Sequence, residues 1–236
     1  MSRIHPTALI HPSVQLGRNV HVGAYTVIHE NVEIGDDTYI SSHVSIGEEA
    51  EHSSDKYELH PRGVCPPIRI GKNVVLREFT TVTRPIKDVT LIADDVYVMG
   101  RVHIAHDCRV EEGAVLSINV TLSGWTRVMR GANVGICAAT HQFTTVGQYA
   151  MIAANATVVK DVPPLAKYIP GKELGLNAYA LHRWHLPLRA ETFDGVRREP
   201  FYQQLLAEWE SVRDKRRPVH GAKVSPLIEK VSHERR

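Results

Sequence analysis

Residues 92–163 read, in blocks of six, IADDVY, VMGRVH, IAHDCR, VEEGAV, LSINVT, LSGWTR, VMRGAN, VGICAA, THQFTT, VGQYAM, IAANAT, VVKDVP. The first position of each block is aliphatic, except in the block that opens on Thr140. The fifth is always small, from Val96 and Val102 through Cys108 to Val162. Such a period belongs neither to an amphipathic helix nor to a simple alternating strand. It is the period of a β-solenoid, in which every face of every coil turns one large aliphatic and one small side chain inward.

Working outward, the same period opens the chain as IHPTAL, IHPSVQ, LGRNVH, VGAYTV, IHENVE, IGDDTY, ISSHVS over residues 4–45. Residues 47–69 carry charge, Pro and Gly and predict a loop ejected from the solenoid. The blocks resume in phase with IGKNVV and LREFTT over residues 70–81. A second break, at 84–91 around Arg84-Pro85, sets the long central run in a shifted phase. With three blocks per coil, residues 18 apart fall in one column, about 4.8 Å from each other by strand spacing. Both ends of such a solenoid present unpaired strand edges that need covering, and the N-terminal start and C-terminal tail are the natural covers.

The repeat is expected to stop at Asp161-Val162-Pro163-Pro164, because proline cannot donate to the ladder. The expectation is therefore an all-β solenoid over residues 1–170 with a C-terminal helical extension over 171–236. Within the extension, 174–186 and 200–216 read as helices. In the second, Leu205, Leu206, Trp209 and Val212 recur at three and four residues. A short helix is expected at 225–235.

Composition excludes several classes of function. Of 236 residues, 43% are hydrophobic and the formal net charge is +2, so no global field points to nucleic acid. The opening MSRIHPTALIHPSV lacks the apolar core of a signal peptide. No run approaches the roughly 20 apolar residues of a membrane span. A cytoplasmic location is expected. Cys65, Cys108 and Cys137 are odd in number and lack metal-site spacing. Cys108 sits on an inward position and reads as core filler.

His103 and His106 stand three apart, with Asp107 directly following. A histidine can take a proton from an attacking hydroxyl or amine near neutral pH, and an adjoining carboxylate can fix its tautomer. His106 is expected to face solvent or substrate. Neighbours on a strand point to opposite faces, but at a solenoid corner that alternation fails. One column step from His106 stands Gly124, whose N–H has no side chain to keep a reacting carbonyl away. Two steps away stands Gln142, preceded by His141. His5, His11, His21, His29, His43, His52 and His60 read instead as solvated repeat positions.

These blocks, with HIAHDC, LSG, THQF and KDVPP followed by GLNAYALHR, resemble the UDP-N-acetylglucosamine acyltransferases. The likeness covers roughly residues 4–185. It implies a left-handed parallel β-helix, a homotrimer with sites between subunits, a nucleotide-sugar acceptor, and acyl carrier protein or coenzyme A as thioester donor with no bound cofactor. By the same likeness His106 is the general base, Asp107 its partner and Gly124 the oxyanion glycine. Lys56, His103, His141 and Gln142 match substrate-contacting positions, and Asn177 and Arg183 match positions serving the donor. Ala154 takes a glycine position on the floor of the acyl groove. Trp125 and Tyr149 also depart from the family, each replacing a histidine.

The expected reaction is acyl transfer from the thioester to a hydroxyl of a nucleotide-linked sugar. Three alternatives remain open at this level. One is acetylation of a nucleotide-linked amino sugar from acetyl-coenzyme A. The others are a zinc site of His103, His106 and His141, as in carbonic anhydrases that share this solenoid, and a non-catalytic scaffold.

Overall fold

In the computed structural model, which describes residues 2–51 and 66–220, nearly every hexapeptide contributes a strand of two to four residues and a corner. In the strand His103–Ile104, Ile104 is fully buried and His103 faces outward. Successive coils stack in parallel with partners 18 apart, as in His103↔Thr121 and Arg109↔Arg127. The result is a three-sided prism whose faces are sheets of 10, 8 and 7 strands. Aliphatic ladders from all three faces fill its interior. Each buried Val, Leu or Ile in such a ladder contributes about 1.5–3 kcal/mol of transfer free energy.

In most blocks the corner is made at the fourth position, which adopts left-handed backbone: φ is 59° at Asp95, 57° at Asp107, 58° at Trp125 and 63° at Phe143. This conformation is costly for a residue with a Cβ. The cost is offset along the column, where most corner N–H groups donate to a carbonyl of the adjoining coil. Trp125 donates to His106 and Phe143 to Gly124, both at 3.1 Å.

The two breaks in the period have different geometries. Ile34 pairs with Ile70, a step of 36 rather than 18, so the first excursion consumes one extra coil length and re-enters in phase. It is shorter than expected at both ends, because Gly47 and Glu48 remain in the strand Ser45–Glu48, and Ile68 and Arg69 in Ile68–Ile70. Arg84, almost fully buried, donates to the Gly47 carbonyl at 3.2 Å and lies 3.6 Å from both Glu30 and Glu49, pinning the root of the excursion. The second break shifts the register by four residues, pairing Val82 with Ile104.

The solenoid outlasts its prolines. Ala166–Tyr168 adds a further parallel strand beside Met151–Ile152. Gly175–Leu176 then covers that strand antiparallel, so the helix expected over 174–186 is reduced to α1, Ala178–Arg183. A short helix α2, Phe193–Val196, was not foreseen; Thr192 caps it by accepting from the Gly195 N–H. Helix α3, Pro200–Val212, buries Tyr202, Leu205 and Trp209. Val212 is 36% exposed and ends the helix, because Arg213 turns to extended backbone. The chain then runs back over the end of the prism through Val219, which bridges Asp161. The segment expected as a helix at 225–235 lies outside the described residues. Among the described residues no helix is long and apolar enough to cross a membrane.

Thr140, the exception in the aliphatic column, points inward against Thr126 with their hydroxyls 2.9 Å apart, so the pair satisfies itself in an apolar interior. Cys108 is fully buried, and burial pushes its thiol up to about 12, leaving it inert.

Candidate active site

His106 and Asp107 occupy the edge between the second and third faces. The left-handed turn at Asp107 brings the two adjacent side chains together, with Nδ1 of His106 2.9 Å from Oδ2 of Asp107. The second break in the period explains why the carboxylate is held there. Asp107 Oδ2 also accepts from the Ile86 N–H at 2.9 Å, while Oδ1 accepts from Lys87 at 2.9 Å and Asp88 at 2.6 Å. The register shift at 84–91 thus supplies three amides that cradle one carboxylate. Thr90 accepts from the Asp107 N–H at 2.9 Å. Burial alone would raise the Asp107 pKa, but the His106 ring and these three amides outweigh it and hold the group below the usual carboxylate range.

His106, expected to face solvent or substrate, does not face solvent in the single chain, where it is 1% exposed. Its ring lies over Gly124, where an added Cβ would stand 2.3 Å from Cε1 and 2.5 Å from Nε2. Glycine is therefore required here for space, whatever its N–H does. That N–H donates no hydrogen bond within the described residues. The indole of Trp125 meets the imidazole edge-on, 4.4 Å between centroids, and stacks on Phe143 at 4.7 Å. Because Asp107 is an ionised acceptor, Nδ1 of His106 donates to it, which assigns the lone pair of the neutral ring to Nε2.

His103 lies on the adjoining strand, bonded through Nδ1 to the Thr81 hydroxyl at 2.8 Å. Its Nε2 is 3.9 Å from Glu51, where the first excursion leaves the prism. Burial lowers the His103 pKa against the pull of Glu51, and His106 nearby adds to the lowering. His141 and Gln142 are exposed on the same edge. Arg217 from the C-terminal segment donates to the Gln142 carbonyl at 2.7 Å and contacts Nδ1 of His141. His103, His106 and His141 do not converge on a point within one chain, and no group of three metal-ligating side chains occurs among the described residues.

The other expected residues lie elsewhere. Ala154 is exposed in the corner column of Ile118 and Ile136, at the opposite edge of the second face from His106. Asn177 is buried at the foot of α1, its amide donating to the Tyr149 carbonyl at 2.7 Å. Arg183 is exposed and lies over Trp184, which fills the space above Gly113 and Gly131 at the edge between the third and first faces. Lys56 lies outside the described residues. One chain therefore distributes these positions over all three of its edges. Sequence reasoning missed Thr81, Thr90, Glu51, the amide cradle, Phe143 and Arg217. Of these, only the cradle left a signal, the phase break itself.

Residues 13–48 match the family of bacterial transferase hexapeptides (six repeats). The acyl-carrier-protein–UDP-N-acetylglucosamine O-acyltransferase of Thiobacillus denitrificans is 42% identical over 200 residues, which span 78% of this chain and 78% of that one. This chain belongs to that acyltransferase family. The counterpart from Herminiimonas arsenicoxydans is 38% identical over 200 residues, covering 78% and 76% respectively. The UDP-N-acetylglucosamine acyltransferase from Campylobacter jejuni superposes with a TM-score of 0.68 over 94% of this chain and 100% of that one, at 23% identity. The acyltransferase fold is the β-solenoid that the repeat predicts, with the left hand that the resemblance implies.

Proposed function

We propose that this acyltransferase moves an acyl group from acyl carrier protein to a hydroxyl of UDP-N-acetylglucosamine, with His106 as general base. The observation that carries the reading is the buried His106–Asp107 pair at 2.9 Å, with Gly124 beneath the ring. Nε2 takes the proton from the acceptor hydroxyl as its oxygen attacks the thioester carbon. The resulting oxyanion is met by the Gly124 N–H. Collapse breaks the carbon–sulfur bond, and the imidazolium returns the proton to the departing thiolate. Asp107 stabilises the imidazolium meanwhile, without itself taking the proton. With the ring buried, acceptor entry requires a neighbour to move, and the half-buried Trp125 indole in edge contact with it is the gate.

The carrier protein and the sugar nucleotide are the substrates named for the curated relatives. Acetylation of an amino sugar is the second reading, favoured by the bulk that Trp125 places against the base. A closed homotrimer of parallel prisms accounts for the spread of Ala154, Asn177 and Arg183 over other edges, since a neighbour's edge then completes the site. The test is incubation of purified protein with nucleotide sugars and nucleotide amino sugars, each with acyl carrier protein and coenzyme A thioesters, read by mass spectrometry. An ester on the sugar hydroxyl is expected. An amide product on an amino sugar would establish the second reading, and no product from any pair would overturn both.

A further inference from the structure

After α3, residues 213–220 form a strap docked on the last turn of the edge that carries His106. The Asp161 N–H donates to Pro218 O and the His220 N–H to Asp161 O, each at 2.8 Å. Arg213 lies 3.3 Å from the buried Asp161 carboxylate. So anchored, the strap lays two guanidinium groups on the edge. Arg216 sits 3.6 Å over the Phe143 ring, and its charge is taken up by Asp214. Arg217 differs. It is half-buried and held by the Gln142 carbonyl and Nδ1 of His141, and no carboxylate lies within ion-pair distance of it among the described residues.

We propose that Arg217 is a specificity-determining residue that, with His141, binds the phosphoryl oxygens of the acceptor's nucleotide diphosphate. Resting on the acceptor class proposed above, this adds to it a residue outside every motif that suggested the class. Three features of the edge support it. Gln142 is two column steps from His106, about 10 Å by strand spacing. That span suits a pyranose ring whose hydroxyl is at the base and whose anomeric phosphoryl group reaches the strap. A guanidinium binds phosphate through a planar fork, and this one is already held by two neutral acceptors, so little freedom is lost on binding. Finally, an arginine donating to Nδ1 of His141 fixes the ring proton on Nε2, converting His141 into a second, outward-facing donor.

The same oxyanion chemistry occurs on the donor, in the phosphates of coenzyme A and of the carrier's pantetheine arm, so the test separates the two sources. Binding of UDP, uridine and coenzyme A is measured by titration calorimetry on the full chain, Arg217→Gln and Arg217→Lys, with thermal melts confirming that each variant folds. Arg217→Gln is expected to weaken UDP roughly 10–100-fold, the range for charged hydrogen bonds, while leaving uridine and coenzyme A unchanged. Arg217→Lys should lose less, keeping the charge without the fork; it carries the test alone if Arg217→Gln does not fold. Arg216→Gln, already neutralised by Asp214, should leave UDP binding nearly intact. Equal UDP affinity in the unmodified and Arg217 variants, or a loss confined to coenzyme A, overturns the proposal. Since UDP binding needs no turnover, failure to acylate any nucleotide sugar would refute the reaction while the role of Arg217 is judged separately.

Discussion

Replacing Asp107 by asparagine should be nearly as damaging to turnover as removing the base, because the carboxylate accepts from four donors. Oδ2 receives Ile86 N–H and Nδ1 of His106; Oδ1 receives Lys87 and Asp88. An amide has one accepting oxygen. Placing the Asn oxygen towards Lys87 and Asp88 points its NH₂ at two donors, and His106 escapes only by moving its proton to Nε2. The nitrogen facing Gly124 then has no lone pair. A loss of about 10²–10⁴ in kcat follows, the ordinary contribution of a general base. Hydrogen bonds to a charged group are worth about 1.5–3 kcal/mol each, and two are disrupted. The expected stability loss is about 3 kcal/mol, since the asparagine keeps part of the set, and the melting temperature falls by about 6–12 °C for a chain of this size.

The pH dependence has a definite sign. Asp107 is depressed in the folded state, so its contribution is present above the unfolded pKa of about 3.9 and is lost as pH falls through the folded value. The melting difference between unmodified protein and Asp107→Asn should therefore be full at pH 6 and shrink below about pH 4. Turnover, thermal melts across pH and the ¹⁵N shifts of the His106 ring measure these three quantities. Wild-type turnover with an unshifted melt, or a variant ring still protonated on Nδ1, would refute the reasoning.

His106→Ala should abolish nearly all turnover and also lower the melting temperature, since it empties a buried site and strips Asp107 of a partner; an unchanged melt would contradict the burial. Gly124→Ala should inactivate without removing the amide, because its methyl would collide with the His106 ring; a ring shift by NMR with the oligomer unchanged is the expected signature. Ala154→Gly should move donor preference towards longer acyl chains, by the methyl's worth of groove it releases in a neighbouring subunit's site; equal rate profiles for short and long donors would reject that ruler. Light scattering should report a trimer, and a monomer at micromolar concentration would overturn the shared site.

Much of this was legible in the sequence because the repeat states where each side chain stands within a coil. From the aliphatic first positions come the inward ladder and the column step of 18, which puts Gly124 beside His106 before any coordinates are known. The period cannot say how an interruption closes on the body. At 84–91 it shows only that the phase changes, whereas the amides of Ile86, Lys87 and Asp88 acquire their role from a carboxylate about twenty positions away. Burial of His106 was missed because a third-position corner residue is usually exposed, and here Trp125 covers it. The helical periodicity around Leu205 and Trp209 correctly located α3. It overran the end because nothing at Arg213 in the local pattern reveals the pull of Asp161, 52 positions earlier.

The docking of the strap on Asp161 makes the prism a stepped gauge. Distance from the base to the far anchor is counted in whole coils, so it can change only in increments of one strand spacing, about 4.8 Å. Inserting an 18-residue coil below His106 would lengthen the body and leave that interval untouched. The same insertion between Phe143 and Asp161 would carry the strap one step further from the base. Under the role proposed for Arg217, duplicating or deleting a coil there would change the length of acceptor that fits, with no change to His106 or Asp107.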